Sequence, residues 1–206
     1  MARQDRAELT RQALIAAASA EFDRHGYAAT SLSRVSRAAG VSMGALTFHF
    51  TTKDALAAAV TECGSAATRA GLRHLHGTPM PALQAVIDLT HTLAALLEED
   101  TAVRAAARLA RDHADPALDW NSAWLPTLRE LLTGSTGLDA QRIEVFVLLL
   151  MTGIEAALHG SPQIHELAGH NLREQLTQAW QVVLHATPGP PAPPGEDPAP
   201  TPSGTF

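Results

Sequence analysis

The segment from residue 28 to residue 53, AATSLSRVSRAAGVSMGALTFHFTTK, constrains the fold more than any other part of the chain. Ser31 and Ser42 each precede a short run of helix-compatible residues, and serine is a preferred N-cap residue. Gly40 lies between the two runs and is expected to break the first one. Because two short helices joined by a tight glycine turn form the unit that enters a DNA major groove, this segment predicts a helix-turn-helix.

The composition is typical of an all-helical protein. Hydrophobic residues make up 46% of the 206 residues, aromatic residues only 4%, and Val, Ile, Thr and Tyr never gather into alternating runs. We therefore predict an all-α fold with an N-terminal three-helix DNA-binding domain and a C-terminal helical ligand-binding and dimerisation domain. The predicted boundaries are residues 1–52, residues 53–186 and a disordered proline-rich tail over residues 187–206.

Hydrophobic periodicity and helix-breaking residues locate the individual helices. Residues 1–7 are expected to form a polar arm, and Gly26 is expected to end the first helix. Pro126 should kink the segment that contains it or delay its start. The predicted helices run over residues 8–25, 32–39, 43–50, 53–76, 81–99, 101–113, 117–134, 140–160 and 163–186.

Charge is divided unevenly between the two predicted domains. The formal net charge is −6, yet residues 1–60 carry seven basic and five acidic side chains, whereas residues 61–206 carry eight and sixteen. A mildly basic N-terminal domain (the head) on an acidic C-terminal domain (the body) suggests that only the head contacts the phosphates of DNA. So weak a positive charge would need dimerisation to give useful affinity for DNA.

Cysteine content and hydropathy indicate the compartment. Cys63 is the only cysteine, so no internal disulfide can form and a reducing compartment is expected. The N-terminus is polar and charged, unlike a signal peptide. The longest apolar run, residues 145–151, is too short to span a bilayer. We therefore expect a cytoplasmic protein that has no membrane partner.

No pattern in the sequence carries the chemistry of an enzyme. It contains no glycine-rich phosphate loop, nucleophile elbow or paired-carboxylate motif. The histidines nearest to a cluster are His74 with His76, and His159 with His165 and His170, but no cysteine or carboxylate completes a metal-binding set. We predict a protein without catalytic residues, metal or cofactor.

The predicted third helix supplies most of the groups that would touch DNA. Leu46 and Phe50 lie four residues apart, so with Val41 they can face the core of the small domain. That orientation turns Phe48 outward, where its ring could contact a thymine methyl group, while Gly44 lets the backbone approach a base edge. The predicted DNA-binding residues are Ser31, Ser33, Arg34, Ser42, Met43, Gly44, Thr47, Phe48, His49 and Lys53. The alternative is that three helices simply pack together without a nucleic-acid partner.

Several short motifs lie between residues 26 and 56. They are Gly26-Tyr27, Thr30-Ser31, Val35, Ala39-Gly40-Val41-Ser42, Gly44-Ala45-Leu46, Phe48-His49-Phe50, Lys53 and Leu56. Together they resemble the N-terminal domain of TetR-family transcriptional repressors, over roughly residues 8–60. The opening MARQDRAELTR and the string GALTFHF resemble one branch more closely, the γ-butyrolactone autoregulator receptors, which are similar to quorum-sensing switches that control antibiotic biosynthesis.

The resemblance implies a function for the whole chain. It implies a homodimeric repressor that binds double-stranded operator DNA and is released by a small hydrophobic effector such as a γ-butyrolactone. Two positions depart from the branch, which usually has Lys where this chain has Met43 and Tyr where it has Thr47. Met43 cannot donate a hydrogen bond and Thr47 has a shorter reach. A second hypothesis is therefore a pseudo-receptor with weakened DNA binding, acting as a ligand sink or heterodimer partner.

The resemblance also implies that the last two long helices form the dimer interface. Both helices carry broad apolar faces that would suit a four-helix bundle between two subunits. The predicted interface residues are Ile143, Val147, Leu150, Ile154, Leu176, Trp180 and Val183. The alternative is that these faces only fill the core of their own subunit.

A ligand pocket is expected among the middle helices, where bundles leave apolar cavities with few polar groups. Trp120 and Trp124 stand four residues apart and are expected to share a helix face. In the branch that the chain resembles, a tryptophan in about this region lines the pocket. The predicted ligand-binding residues are Trp120, Trp124, Thr90, Asn121 and Thr152, and core packing remains the alternative for each tryptophan.

Overall fold

The computed structural model describes residues 2–77, 80–113, 115–133, 139–160 and 172–186. All regular elements in these ranges are helical, in agreement with the predicted all-α class. None of the helices described there is both long enough and apolar enough to cross a membrane. The predicted tail, and the part of the last predicted helix over residues 163–171, lie outside the described residues.

The N-terminal head is built from α1 (Ala2–Ala29), α2 (Leu32–Ala38), α3 (Met43–His49) and the first half of α4 (Lys53–Leu72). The prediction of a polar arm is wrong for residues 2–7, which belong to α1. Alanine, arginine and glutamine dominate this stretch and are good helix formers, and no cap or breaker separates them from the rest of the helix.

Local signals fix the ends of the short helices. Ser31, Ser42 and Thr52 are the N-caps of α2, α3 and α4, and each side chain accepts a hydrogen bond from the backbone N–H three residues later. Gly40 has a φ of 67°, in the left-handed region, and ends α2 as expected. Gly26, with a φ of 74°, interrupts the helical path of α1.

The C-terminal body is formed by α5 (Ala82–Glu99), α6 (Thr101–Asp112), α7 (Leu125–Leu132), α8 (Ala140–His159) and α9 (Leu172–Ala186). The segment predicted as one helix over residues 117–134 is divided. Two short 3₁₀ turns, Pro116–Leu118 and Trp120–Ala123, precede α7. Pro126 lies in the first turn of α7, where its missing N–H has no partner to lose, so the helix starts late as expected.

Two hydrophobic cores are joined by α4 and α6. The head core contains Phe22, Leu46 and Leu56, and α6 contributes Leu109 to it. The body core contains Leu72 from the far end of α4, together with apolar side chains from α5 to α9. α4 and α6 each contribute side chains to both cores and so connect the head to the body.

Candidate nucleic-acid interface and ligand cavity

The orientation of α3 follows from the burial of one of its sides. Leu46 is fully buried and Phe50, its C-cap, is 4% exposed, whereas Phe48 is 80% exposed and Met43 is 42% exposed. Phe48 lies two residues after Leu46, roughly 200° around the helix axis, and so points away from the core. The predicted inward side of α3 is therefore confirmed, and the side predicted to meet DNA is accessible.

The hydroxyl groups on this side of α3 are engaged by the helix itself. Thr47 Oγ1 donates to the carbonyl oxygens of Met43, at 3.0 Å, and Gly44, at 3.2 Å. Ser42 Oγ accepts from the backbone N–H of Ala45 at 3.2 Å. Phe48 is held edge-on against the imidazole of His49, with ring centroids 5.2 Å apart. The centre of the outward side is therefore apolar.

Two of the predicted phosphate-binding cations already have protein partners. Arg34 Nε donates to Glu21 Oε2 at 2.8 Å, although its side chain remains 43% exposed. Lys53 Nζ donates to the carbonyl oxygens of Tyr27 and Thr30 at 2.9 and 3.1 Å, which ties α4 to the end of α1. The same ammonium group lies 4.0 Å from the centroid of the Tyr27 ring, so Lys53 is held mainly by contacts within the head.

The hydroxyls of Ser31 and Ser33 lie at the start of α2, 3.3 Å from each other. Both side chains are accessible, and Ser31 also caps the helix. Their contact with DNA, like that of the other predicted residues of the head, stays a prediction.

A small cavity of about 130 Å³ lies between α6, the 3₁₀ turn at Trp120 and α8. Three of the predicted ligand-binding residues, Trp120, Asn121 and Thr152, line it together with the apolar side chain of Met151. Residues from two distant parts of the sequence therefore meet at one cavity. Their role in binding a ligand remains a prediction.

The two tryptophans occupy different environments. They do not share a helix face, because Trp120 belongs to a 3₁₀ turn and Trp124 is the N-cap of α7. Trp120 Nε1 donates to Thr68 Oγ1 at 2.8 Å. The indole of Trp124 is fully buried, and its Nε1 has no hydrogen-bond partner among the described residues.

Thr90 lies away from the cavity and serves the packing of the body. It is fully buried, donates to the carbonyl oxygen of Ile87 at 2.8 Å and accepts from Trp180 Nε1 at 2.9 Å. Its hydroxyl donor and one of its two acceptor lone pairs are therefore used within the body, and Thr90 does not line the cavity.

Sequence reasoning missed a charged pair in the cavity wall. Arg111 and Glu155 both line the cavity and form a salt bridge, and Glu155 is only 4% exposed. The sequence feature that indicates such a pair is the single carboxylate, Glu155, within the apolar run of α8. A buried carboxylate requires a charged or hydrogen-bonding partner.

Glu155 is also linked to the head. The imidazole of His159, one turn later on α8, lies 2.9 Å from Glu155 Oε1 and 2.8 Å from Asp23 Oδ1 on α1. Burial alone would lower the pKa of His159, but the hydrogen bonds with Asp23 and Glu155 raise it to about 9. Burial opposes the charge of Asp23, yet hydrogen bonds from His159 and Arg104 hold its pKa below the usual value.

Burial distinguishes two sides of the predicted dimerisation helices. Ile143, Leu150 and Val183 are partly buried. The other four predicted interface residues, Val147, Ile154, Leu176 and Trp180, are buried in the core of their own chain. For these four residues the structure agrees with the alternative prediction, which is that they fill the core of their own subunit. The exposed apolar side chains on the same two helices are Val145, Leu149, Val182 and Leu184.

Comparisons with known proteins cover both the head and the body. Residues 14–60 match the family model described as bacterial regulatory proteins, tetR family. The A-factor receptor protein of Streptomyces griseus is 30% identical over 195 residues, which cover 89% of this chain and 66% of the receptor. The chain thus spans slightly less than two thirds of that relative's length.

Solved structures show the same arrangement of helices. A gamma-butyrolactone receptor, described as ArpA-like, has a TM-score of 0.64 and 29% identity, covering 88% of this chain and 89% of that one. CprB from Streptomyces coelicolor, solved in complex with its biological operator sequence, has a TM-score of 0.66 and 29% identity, with coverages of 88% and 89%. TylP, a TetR regulator from Streptomyces fradiae, has a TM-score of 0.55 and 30% identity, with coverages of 89% and 81%.

Proposed function

The chain belongs to the TetR family of bacterial regulatory proteins, in the branch of the γ-butyrolactone receptors, and on this premise we propose that it is a dimeric, ligand-released repressor. It binds operator DNA through α2 and α3 and releases it when a small hydrophobic signal of the butyrolactone type enters the body. It carries out no catalysis and acts in the cytoplasm.

The observation that carries this proposal is the presentation of α3. A seven-residue helix, anchored by Leu46 and by its C-cap Phe50, holds Phe48 and Met43 in solvent instead of packing them against a neighbour. A helix mounted in this way can enter a major groove without rearranging its own domain. The similarity to CprB, which was solved with its operator, extends over 88% of the chain.

The cavity supports a ligand that combines an apolar body with a few polar groups. Trp120 and Met151 supply apolar wall, and Asn121 and Thr152 supply hydrogen-bonding groups. Trp124, whose buried indole N–H has no acceptor among the described residues, is not part of the cavity lining. A lactone or ketone oxygen is an acceptor of the kind that the side-chain amide of Asn121 can bind. The receptor relatives are named for ligands of this class.

The size of the cavity suggests how binding is coupled to release. At about 130 Å³ it is smaller than the roughly 300 Å³ at which ligand pockets usually begin, so a ligand must push its walls apart. One of these walls is α6, which also packs in the head core through Leu109. A ligand that binds better to an enlarged cavity therefore favours the conformation in which the head is shifted. Its affinity for this conformation differs from its affinity for the conformation with the small cavity.

Dimerisation is supported by the exposed apolar side of α8 and α9. Leu149 is 69% exposed on α8, with Val145 one turn before it, and Val182 is 70% exposed on α9. A second copy of the chain would cover these side chains and bring two heads together. A dimer also contacts DNA phosphates through two heads, which compensates for the weak positive charge of a single head. We therefore place the interface on this side of the helices rather than on Val147, Ile154, Leu176 and Trp180.

Loss of DNA binding, as in the ligand-sink hypothesis, is not favoured. The departures at Met43 and Thr47 change the chemistry of the accessible surface of α3 but do not block it, because both side chains are exposed. The partners of Arg34 also leave part of its side chain accessible.

Electrophoretic mobility shift with promoter fragments from the protein's own locus tests the proposal. We expect a specific shifted band at low salt that is reversed by added A-factor, used as the probe. The variant Phe48→Asp should abolish the band, whereas Leu9→Asp, which alters an exposed leucine of α1, should retain it. Absence of a specific band for the unaltered protein across these fragments at low salt would refute the proposed function.

A further inference from the structure

We propose that α3 selects its operator through the methyl groups of thymine rather than through hydrogen bonds from side chains to base edges. The inference rests on the proposed binding of operator DNA and specifies what that binding reads. It is carried by the chemistry of the exposed side of α3 and by the space beside Phe48.

The exposed side of α3 has no side-chain donor free for a base edge between Met43 and Phe48. Met43, Gly44 and Phe48 carry no donor, and the hydroxyl proton of Thr47 is directed to the carbonyl oxygens of Met43 and Gly44. Guanine is read in the major groove through two acceptors, O6 and N7, which require donors. The segment from Met43 to Phe48 therefore offers guanine no free side-chain donor, and the hydroxyl of Ser42 and the imidazole of His49 lie at its two ends.

The space beside Phe48 suits a methyl group. Gly44 lies one turn before Phe48 on the same side of the helix, and a side chain added at Gly44 would meet nothing nearer than Ser42 Oγ at 4.0 Å. The ring of Phe48 therefore has an open position next to it. The edge contact with His49 limits the movement of the ring.

Hydration supplies the driving force. Phe48 is 80% exposed, so its ring is hydrated in the free protein, and the thymine methyl is the one apolar group on a base edge in the major groove. Removing both from water on contact stabilises the complex by the hydrophobic effect. Loss of one such methyl group is expected to weaken binding about fourfold.

Replacement of thymine by deoxyuridine measures this contribution directly. Uracil keeps the pairing and the hydrogen-bonding groups of thymine and lacks only the C5 methyl. The operator is first mapped by the mobility shift described above and then synthesised with every half-site thymine replaced by uracil. We expect the Kd from fluorescence anisotropy to rise about fourfold for each contacted methyl, or roughly 15-fold for one methyl in each half-site of a dimer.

Three comparisons assign the effect to α3. A duplex with uracil only outside the half-sites should bind like the thymine duplex. Phe48→Ala should bind the thymine duplex more weakly and lose the preference for thymine over uracil. Leu9→Ala, which truncates an exposed leucine outside α3, should keep that preference.

The outcomes separate the two proposals. Equal affinity of the unaltered protein for the thymine and uracil duplexes, with specific binding intact, would overturn methyl readout and leave the repressor function standing. If the mobility shift finds no fragment that the protein binds specifically, the proposed function itself is overturned, and this inference with it. Retention of the thymine preference by Phe48→Ala would show that another part of the head reads the methyl groups and would refute the role of α3.

Discussion

The imidazole of His159 lies 2.8 Å from a carboxylate oxygen of Asp23, although 136 residues separate them in the sequence. Asp23 is on α1 in the head and His159 is the last residue of α8 in the body. Arg104 of α6 donates to the other oxygen of the same carboxylate at 3.1 Å. One carboxylate thus connects three helices, and Glu155 extends the connection to the cavity lined by Trp120 and Met151.

We predict that the free energy of unfolding falls as the pH rises between the two pKa values of His159, that of the unfolded chain and that of the folded chain. Its pKa is about 9 in the folded chain and near 6.5 when unfolded, so its stabilising contribution is complete below pH 6.5 and lost as the pH passes 9. The expected loss is on the order of 3 kcal/mol. Urea unfolding at several pH values between 6 and 10 measures it.

The variant His159→Gln is the control for this prediction. The charged groups around the imidazole are Asp23 and Arg24 on α1, Glu98 on α5, Arg104 and Arg108 on α6, and Glu155 on α8. The pKa of Asp23 is lowered, so its own contribution is lost only as the pH falls into the acid range and does not interfere. The variant should show a nearly flat profile between pH 6.5 and 9, and a slope equal to that of the unaltered protein would contradict the assignment.

Substitution of Gly64 should destabilise the contact between α4 and α6. A Cβ atom at this position would lie 2.4 Å from the carbonyl oxygen of Ala102 and 2.7 Å from Cβ of Ala106. Because the obstacle is backbone, Gly64→Ala should reduce the free energy of unfolding by roughly 1–3 kcal/mol despite the better helix propensity of alanine. Gly44→Ala, with open space around it, should not be destabilising, and thermal unfolding compares the two.

The two tryptophans should differ in their response to replacement by phenylalanine. Both replacements remove buried core volume and should be destabilising. Trp120→Phe also loses the bond to Thr68, whereas Trp124→Phe removes a buried N–H without a partner, so Trp120→Phe should lower the free energy of unfolding by about 1 kcal/mol more. If Trp124 donates to the ligand, Trp124→Phe should also weaken A-factor binding in calorimetry about tenfold. Unchanged affinity would remove Trp124 from the ligand site.

A charge on the exposed side of α8 should prevent dimerisation. Leu149→Asp places a carboxylate on the proposed interface without touching the core, since the native side chain is 69% exposed. We expect a folded monomer in analytical ultracentrifugation and a marked loss of operator affinity. Leu9→Asp, a substitution of an equally exposed leucine on α1, should remain dimeric. Dimers of Leu149→Asp would place the interface elsewhere.

Features encoded within a few residues could be predicted from the sequence. Ser31, Ser42 and Thr52 cap their helices because each side chain reaches a backbone N–H only three residues away. The buried side of α3 follows from the four-residue spacing of Leu46 and Phe50. The motifs around these residues also identified the family, because the DNA-binding head is built from one continuous segment of the chain.

The tertiary structure decided which groups meet across the chain. Apolar periodicity showed that α8 and α9 have broad hydrophobic faces, but not that Val147 and Trp180 serve the subunit's own core while Leu149 and Val182 remain exposed. The pairing of Asp23 with His159 could not be predicted, because a contact over 136 residues depends on the packing of α1, α6 and α8 rather than on any local spacing. The sequence therefore determined the DNA-binding head and its family, and the packing of helices distant in sequence determined where the cavity, the exposed apolar side chains and the contacts between head and body lie.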